Sequence, residues 1–344
     1  MPLRRAARAV IRRAGPVARR DARITELRAT VAAQRAELTE LRRRGAGATR
    51  RKNREFVVDP TKPSFYLKIE ESKRHWADRT SEPPDPIRAL LSKQLCYALA
   101  RSHGVATPEV FGTWDDPEAI TWDELPDTFV LKTNRGAASR GVFPCRRDGD
   151  LLRVAGTDAP VHPDELVERI TRIRNAGKVM YPVFAEEWLR TPSTEPPELP
   201  VDIKIDTFFG AVGLIRLRTV PKHGHGVPTM VRYLSRTGED LGNISEDRQV
   251  STDIPVPDDL DGLVEVAERL SAATRTPFIR VDLYETTRGI VFGEFTPIPG
   301  HRLYLSGGLD VQLGELWEDA QRRLMREVRR TGVLDLSYGP HPQA

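Results

Sequence analysis

The sequence predicts an α+β fold, and three observations support this prediction. Apolar strand-like runs dominate the chain from Thr128 onward. Amphipathic segments with helical spacing alternate with these runs. Two of the runs are joined by the short turn 286–289, which is typical of a β-hairpin. Mixed helices and strands of this kind indicate α+β, and we find no internal repeat.

Length and composition limit the alternatives. With 344 residues the chain can form two or three lobes, and no apolar run approaches the roughly 18 residues needed to cross a bilayer. The two cysteines, Cys96 and Cys145, exclude a disulfide framework and a cysteine-rich zinc site. They also suit a reducing compartment. We therefore expect a cytoplasmic protein, either free or peripheral at the inner face of the membrane.

The net charge of +4 is unevenly distributed. Residues 1–54 contain 17 Lys and Arg against four Asp and Glu, a net charge of +13, so the remainder carries −9. The excess of positive charge, which could suggest nucleic-acid binding, therefore lies only in this arm. We expect no nucleic-acid partner for the body of the protein.

The sequence predicts a basic helical arm at residues 1–50. Its second segment carries a heptad seam whose positions lie three or four residues apart and include one polar residue, namely Ile24, Leu27, Val31, Gln34, Leu38 and Leu41. This seam, at 22–44, predicts either a parallel homodimer or a single helix docked on the body. The first segment combines an apolar face with many arginines, which favours either an anionic membrane surface or a solvated tail.

The rest of the chain divides into three predicted parts. Residues 51–125 form an N-terminal subdomain, 126–190 a small lobe with a phosphate loop, and 191–344 a C-terminal lobe with a metal site and a closing helix. Helices are predicted at 87–104, 163–175, 258–274 and 311–330. Strands are predicted at 129–131, 181–185, 201–209, 212–218, 279–284 and 290–295. The Pro-rich stretch 191–200 is expected to be a linker or loop.

A candidate phosphate-binding segment follows the first of these strands. Lys132 directly follows this strand, and the small residues Gly136, Ala137, Ala138 and Ser139 come shortly after it. Small residues let backbone N–H groups approach phosphate oxygens, and the lysine adds a positive charge. Taken alone, this segment could also be an ordinary hairpin turn that binds no phosphate.

Two further segments place carboxylates at chemically useful positions. Glu186 and Glu187 end an apolar strand and are followed by Trp188 and Leu189, which suits an adenine slot, although solvated strand-end acids are the alternative. Asp282 and Glu294 lie in two apolar strands of one hairpin. Two converging carboxylates of this kind suit Mg²⁺, because a lone buried carboxylate is costly without a cation.

These segments, in this order, resemble the ATP-grasp superfamily over roughly residues 86–300. The resemblance is greatest to its TupA-like branch, associated with teichuronopeptide and cell-surface polysaccharide biosynthesis. The matching motifs are Lys93, Gly104 through Pro108 to Gly112, 125–136, 186–189, 202–205 and 280–300. The resemblance implies an ATP-grasp fold, in which two α+β lobes enclose ATP.

The resemblance also implies roles for individual residues. Lys93 and Lys132 would contact ATP from two sides of the cleft, and residues 136–139 would close over the phosphates. Glu186, with the backbone of Glu187 and Leu189, would hold adenine. Asp202 would bind the ribose, with Glu198 as a second candidate, and Lys204 the triphosphate.

For the metal and the chemistry, the implied residues lie on the hairpin. Asp282 and Glu294 would carry Mg²⁺, and Arg280 would stabilise the reacting groups. Many ATP-grasp ligases have an asparagine two residues after the glutamate, whereas this chain has Thr296, a weaker ligand. The number of magnesium ions is therefore left open.

The implied activity is that of an ATP-dependent carboxylate–amine ligase working through an acyl phosphate in polysaccharide or teichuronopeptide biosynthesis. Two alternatives stay open at this point. The same core could pass phosphate to a sugar hydroxyl and stop there. Alternatively, the chain could be a nucleotide-binding scaffold that assembles through its arginine-rich arm.

Overall fold

The computed structural model describes residues 58–77, 86–136, 139–157, 159–191, 198–219, 229–245, 249–299 and 305–341. The described residues belong to one unit that begins at Val58. The predicted basic arm at 1–50, with its heptad segment at 22–44, lies outside these ranges. So do Ala137, Ala138 and most of the Pro-rich stretch 191–200.

The described ranges contain five α-helices and eleven strands. The helices are α1 (Phe65–Ala77), α2 (Lys93–Ser102), α3 (Pro163–Asn175), α4 (Leu260–Ala273) and α5 (Gly307–Thr331). The strands are β1 (Val110–Trp114), β2 (Thr128–Gly136), β3 (Val142–Asp148), β4 (Leu151–Val154), β5 (Val179–Glu186), β6 (Asp202–Thr207), β7 (Val212–Thr219), β8 (Met230–Leu234), β9 (Gln249–Val250), β10 (Ile279–Thr286) and β11 (Gly289–Thr296). The α+β prediction is confirmed.

The first sheet has the strand order β1-β5-β2-β3-β4, and all neighbouring strands are antiparallel. Helix α3 covers one face, where Leu166 and Ile170 pack with Phe129, Leu131 and Val183 in one buried cluster. Burial of such side chains stabilises the lobe by roughly 1.5–3 kcal/mol each. The sheet places Lys132 in β2 beside the end of β5, because Lys132 pairs with Phe184.

The second sheet has the strand order β11-β10-β6-β7-β8-β9, antiparallel except for the β8–β9 pair. Side chains alternate between its two faces. The odd-numbered Ile203, Ile205 and Val281 are buried in one cluster with Leu263 and Ala267 of α4. The even-numbered residues of β6 and β10 are therefore directed to the opposite face, which carries the charged groups.

Helix α2 lies between the two sheets. The sequence predicted one helix over 87–104, but the structure divides it into a 3₁₀-helix at Pro86–Leu91 and α2. Ser92 separates them because it has an extended backbone and its hydroxyl accepts from the N–H of Leu95 at 3.4 Å. Asn134 Oδ1 of β2 accepts from the N–H of Gln94 at 3.2 Å, which docks the helix start on the first sheet.

The end of α2 is held by the C-terminal tail. The N–H of Gly339 donates to Ser102 Oγ at 3.0 Å, and His103 Nε2 donates to the carbonyl of Ser337 at 2.7 Å. The N–H of Ser337 in turn donates to the carbonyl of Ala273, at the end of α4. The tail therefore ties α2 to the helix that covers the second sheet.

Most predicted elements are confirmed, and the missed ones share a physical character. Helix α3 has its predicted bounds, α4 and α5 differ by a few residues, and the hairpin around residues 286–289 forms as β10–β11. The sequence did not predict α1, β1, β3, β4, β8 or β9. Five of these six are strands at or near a sheet edge, where fewer apolar residues are needed. None of the described helices combines the length and apolar character that a bilayer crossing requires.

We predict that Gly314→Ala destabilises the protein. A Cβ at this position in α5 would lie 2.6 Å from the carbonyl carbon of Pro63 and 2.7 Å from the backbone nitrogen of Ser64. Because backbone cannot move aside as a flexible side chain does, the free energy of unfolding should fall by about 1–3 kcal/mol. Urea unfolding followed by circular dichroism measures this change.

Gly308→Ala, in the same helix, is the matched control. Among the described residues, no atom outside its own helix backbone lies within 4 Å of its added Cβ. Its stability should be unchanged or raised by up to about 1 kcal/mol, because alanine favours helix more than glycine does. Equal effects at both positions would contradict the close packing of α5 on residues 63 and 64.

Candidate active site

Strand register brings most of the predicted C-terminal site residues to one face of the second sheet. Asp282 pairs with Lys204 of β6 on one side and with Glu294 of β11 on the other. Arg280, two residues earlier in β10, pairs with Thr296. Side chains of paired residues lie on the same face. The two predicted catalytic cations therefore adjoin the three predicted metal ligands.

A β-bulge at Gly293 makes this arrangement possible. Asp282 pairs with Glu294 but Leu283 pairs with Phe292, so Gly293 has no partner of its own. Strict alternation would place Phe292 and Glu294 on the same face. The bulge instead buries Phe292 and leaves the Glu294 side chain 44% exposed. A Cβ on Gly293 would lie 2.7 Å from the ring of Tyr284, so glycine is required here.

The Asp282 carboxylate lies at the centre of the charged face. Arg280 donates from Nε to Oδ1 at 2.6 Å and from Nη2 to Oδ2 at 2.8 Å, and Lys204 Nζ also donates to Oδ2. Burial alone would raise the pKa of Asp282, but the charges of Arg280 and Lys204 hold that pKa below its ordinary value. Asp282 is therefore a fixed anion.

Arg280 links this carboxylate to β11. Its Nη2 donates to Thr296 Oγ1 at 2.7 Å and lies 3.8 Å from Glu294 Oε1. Burial opposes the charge on the guanidinium, but Asp282 and Glu294 together raise the pKa of Arg280 above its ordinary value. The side chain is therefore a cation whose position is set by three oxygen-bearing neighbours.

Asp202, expected at the ribose, is engaged within the protein. Arg218 donates to Oδ2 from Nε at 2.8 Å and also from Nη2, and Tyr284 donates to Oδ1 at 3.0 Å. Lys204 Nζ lies 3.6 Å from Oδ2. Although burial opposes it, the charges of Lys204 and Arg218 hold the pKa of Asp202 below its ordinary value. Glu198, the second candidate for the ribose, accepts from Trp188 Nε1 through its carbonyl at 3.2 Å.

Sequence reasoning missed a second buried ion pair on this face. Arg216 Nη2 donates to Asp206 Oδ1 at 2.7 Å, and both side chains are buried. Asp206 Oδ2 and Arg216 Nε have no hydrogen-bond partner among the described residues. Burial raises the pKa of Asp206 above its ordinary value. The spacing of Asp202, Lys204 and Asp206 at every second position was the signal that could have revealed it.

The first sheet contributes a compact polar group beside α2. Lys132 forms an ion pair with Glu186 Oε1, and Tyr97 of α2 donates to Glu186 Oε2 at 2.7 Å. Lys93, at the start of α2, donates to the carbonyl of Thr133 at 3.3 Å. Lys93, Tyr97 and Glu186 are all buried.

The pKa of Lys93 responds to charged groups on both sheets. Burial lowers the pKa of its ammonium group, and the positive charge of Lys132 adds to this effect. Glu294 of the second sheet and Glu186 of the first both oppose it. The charges of acids from both sheets therefore act on Lys93, which predicts a single site shared by both.

The predicted phosphate loop closes tightly where it is described. Ser139 and Gly141 have positive φ values of 61° and 73°, and the N–H of Thr133 donates to the carbonyl of Gly141 at 2.8 Å. A Cβ on Gly136 would lie 2.5 Å from the carbonyl oxygen of Arg140. Ala137 and Ala138, at the tip, lie outside the described residues.

The segment after β5 is held by Glu109, just before β1, and by Arg288 in the β10–β11 turn. The N–H of Glu187 donates to the carbonyl of Glu109 at 2.8 Å, and Arg288 donates to the Glu187 carboxylate at 2.6 Å. Leu189 is buried. An open cleft of about 660 Å³ lies against Glu187 and Tyr97. Its lining includes Arg101 and Arg288 but none of Lys93, Lys132, Lys204 and Arg280.

The donor set on the hairpin fits Mg²⁺. Asp282, Glu294 and Thr296 offer only oxygen atoms, which hard cations prefer. Asp282 Oδ1 accepts one hydrogen bond and keeps a lone pair for a ligand. No group of three or more His, Cys, Asp or Glu is placed to hold a metal in the part of the chain that the structure describes. Magnesium here would complete its shell with water and phosphate oxygens, as it usually does.

Comparison with known families identifies the chain. The family model described as "TupA-like ATPgrasp" matches residues 73–318. Because this match covers most of the chain, the protein belongs to the TupA-like ATP-grasp family. The expected ATP-grasp fold is thereby confirmed. No curated protein matches the chain.

Several solved structures are distantly similar to the chain. D-alanine–D-alanine ligase from Bacillus anthracis complexed with ATP is 14% identical over 71% of this chain and 69% of its own, with a TM-score of 0.43. D-cycloserine synthetase DcsG is 15% identical over 75% and 81%, with a TM-score of 0.44. ATP-grasp ligase PsnB complexed with minimal precursor, Mg and ADP is 15% identical over 70% and 61%, with a TM-score of 0.37.

We predict that Asp202→Asn lowers stability at neutral pH and reduces its dependence on pH. The pKa of Asp202 is lower in the folded protein than the ordinary value of 3.8. Its carboxylate therefore stabilises the fold above about pH 4, and this contribution is lost as the pH falls through the folded pKa. Losing charged hydrogen bonds should cost about 1.5–3 kcal/mol at pH 7.

Urea unfolding between about pH 7 and pH 3 tests this prediction, since the variant should lose less stability on acidification than the wild type. The control is Asp115→Asn, at an exposed position that directly follows β1. Parallel pH profiles for wild type and Asp202→Asn would show that the Asp202 carboxylate contributes nothing.

Proposed function

We propose that this member of the TupA-like ATP-grasp family is an ATP-dependent carboxylate–amine ligase. A substrate carboxylate would attack the γ-phosphorus of ATP to give an acyl phosphate and ADP. An amine would then displace phosphate to form the amide. The observation that carries the proposal is the convergence of Arg280 and Lys204 on the Asp282 carboxylate, beside its strand partner Glu294.

The nucleotide would lie between the two sheets. Lys93 and Lys132 would contact its phosphates or adenine, and Lys132 already pairs with Glu186. The loop at 136–139 would offer backbone N–H groups. Glu186 and the backbone of Glu187 and Leu189 would hold adenine, and Asp202 the ribose.

Asp282, Glu294 and Thr296 would hold Mg²⁺. When bound, this ion would neutralise negative charge on phosphate oxygens. The surrounding side chains prepare the ligands, because Arg280 and Lys204 orient the Asp282 carboxylate before substrate arrives. Charges that are already in position need no reorganisation during the reaction. Such positioning and electrostatic stabilisation are the main source of catalysis in phosphoryl transfer.

Arg280 and Lys204 would also stabilise the reacting groups. Arg280 donates hydrogen bonds to both Asp282 and Thr296, which fix it beside the proposed metal ligands. A guanidinium in this position can stabilise negative charge on an acyl phosphate and on the tetrahedral intermediate. Lys204 would contribute a second charge at the triphosphate.

The substrate class rests on the family resemblance. We propose that the carboxylate belongs to a uronic acid of a cell-surface glycan or its precursor. The amine would come from an amino acid or peptide. This assignment joins the ligase chemistry to teichuronopeptide or polysaccharide biosynthesis.

We predict that Mg-ATP raises the melting temperature of the wild type and not that of an Asp282→Asn/Glu294→Gln variant. At about 100 times Kd, ligand should stabilise the native state by roughly 2.7 kcal/mol. Thermal unfolding with ATP, with and without Mg²⁺, measures the shift. Absence of any nucleotide-dependent shift in the wild type would exclude a working ATP-grasp site.

The matched control is Asp115→Asn/Glu118→Gln, which removes the same two charges at exposed positions. It should retain the magnesium-dependent shift of the wild type. An equal loss in both double variants would mean that net charge, and not the carboxylates of the hairpin, governs nucleotide binding.

We predict that Lys204→Ala lowers acceptor-dependent ADP release by about 10²–10³-fold, the range for removing one stabilising donor. The assay supplies glucuronic acid with each of a set of amino acids and measures ADP, phosphate and product mass. Lys178→Ala, an exposed position, is the control and should retain the full rate. Phosphate retained on the sugar, with no amide, would instead support a phosphotransferase.

A further inference from the structure

Tyr97 of α2 contacts the first-sheet site but was not predicted from the sequence as a site residue. Its hydroxyl donates to Glu186 Oε2 at 2.7 Å and accepts from Lys132 Nζ at 3.4 Å. Lys132 also pairs with Glu186 Oε1. One tyrosine hydroxyl therefore contacts both members of the ion pair.

The ring of Tyr97 is fixed by aromatic contacts from both sheets. Phe184 of β5 and Phe292 of β11 meet it edge to face, with centroid distances of 6.3 and 6.2 Å and interplanar angles of 88° in both cases. The residue is 1% exposed. Such a ring has no freedom to move its hydroxyl away, so the position of Glu186 depends on where the two sheets hold Tyr97.

The contacts of Glu186 restrict the hydrogen bonds that its carboxylate can make with a ligand. Oε1 accepts from Lys132 and Oε2 accepts from Tyr97, and a carboxylate has no hydrogen to donate. Any remaining lone pair can only accept. A nucleobase that presents an exocyclic amine fits this group, whereas one that presents a carbonyl at that position is repelled by it.

We propose that Tyr97 is a positioning residue that fixes Glu186 and thereby sets the preference for adenine over guanine nucleotides. The proposal rests on the proposed function, since it assumes that Glu186 meets the base. Tyr97 acts through Glu186 and Lys132, and its hydroxyl does not take part in bond making. Its burial between the sheets also makes base selection depend on their relative placement.

The test compares Tyr97→Phe with the wild type in full-length protein. This change keeps the ring between Phe184 and Phe292 and removes only the hydroxyl. The KM for ATP, measured by ADP release, should rise about tenfold with kcat changed less than about twofold, the range for one lost charged hydrogen bond. The preference for ATP over GTP, measured as the ratio of kcat/KM, should fall by a similar factor.

A double-variant cycle identifies the route of the effect. If Tyr97 acts through Glu186, Tyr97→Phe should add little to the loss caused by Glu186→Gln. Fully additive effects would overturn the proposal. Tyr181→Phe is the matched control, because the Tyr181 hydroxyl lies 3.5 Å from Thr171 Oγ1 and away from the ion pair; its KM and base preference should equal those of the wild type.

The outcomes separate the two proposals. Wild type that neither binds nor hydrolyses ATP would remove the proposed function and the role of Tyr97 with it. Wild type that prefers ATP, together with a Tyr97→Phe variant of unchanged KM and unchanged base preference, would overturn the role of Tyr97 alone. Urea midpoints for each variant distinguish lost positioning from lost folding, since unfolding lowers kcat and leaves the base preference unchanged.

Discussion

The site depends on the burial of Asp282 within an apolar strand. A carboxylate at 3% exposure is costly unless cations compensate it, and removing one member of a buried ion pair commonly costs several kcal/mol. Arg280 and Lys204 supply that compensation from the same strand and from its neighbour. Two further groups of the charged face contact these cations, because Thr296 accepts from Arg280 and Asp202 lies 3.6 Å from Lys204.

This constraint gives the second sheet two different faces. Ile203, Ile205 and Val281 must face α4, so the residues between them must face the cleft. The bulge at Gly293 extends the division to β11, where Phe292 is buried while Glu294 stays accessible. Packing of the apolar face therefore determines which residues form the charged face.

Helix α2 joins this face to the first sheet. It carries Lys93 and Tyr97 and is anchored at its start by Asn134 and at its end by the C-terminal tail. Lys93 experiences the charges of Glu186 and Glu294, one from each sheet. A change in the relative placement of the sheets would alter the distances of both acids from Lys93. The nucleotide contacts and the metal ligands would then change together.

The sequence by itself determined the α+β class, the main helices, the hairpin and the order of the charged residues along it. It did so because apolar periodicity and turn residues are local properties of the chain. Tertiary structure alone decided that Ser92 begins a separate helix, that Gly293 is a bulge, and that Tyr97 and Arg216 belong to the site. These features depend on contacts between residues far apart in sequence, such as Tyr97 with Glu186, and no local pattern encodes which distant partner a buried polar group meets.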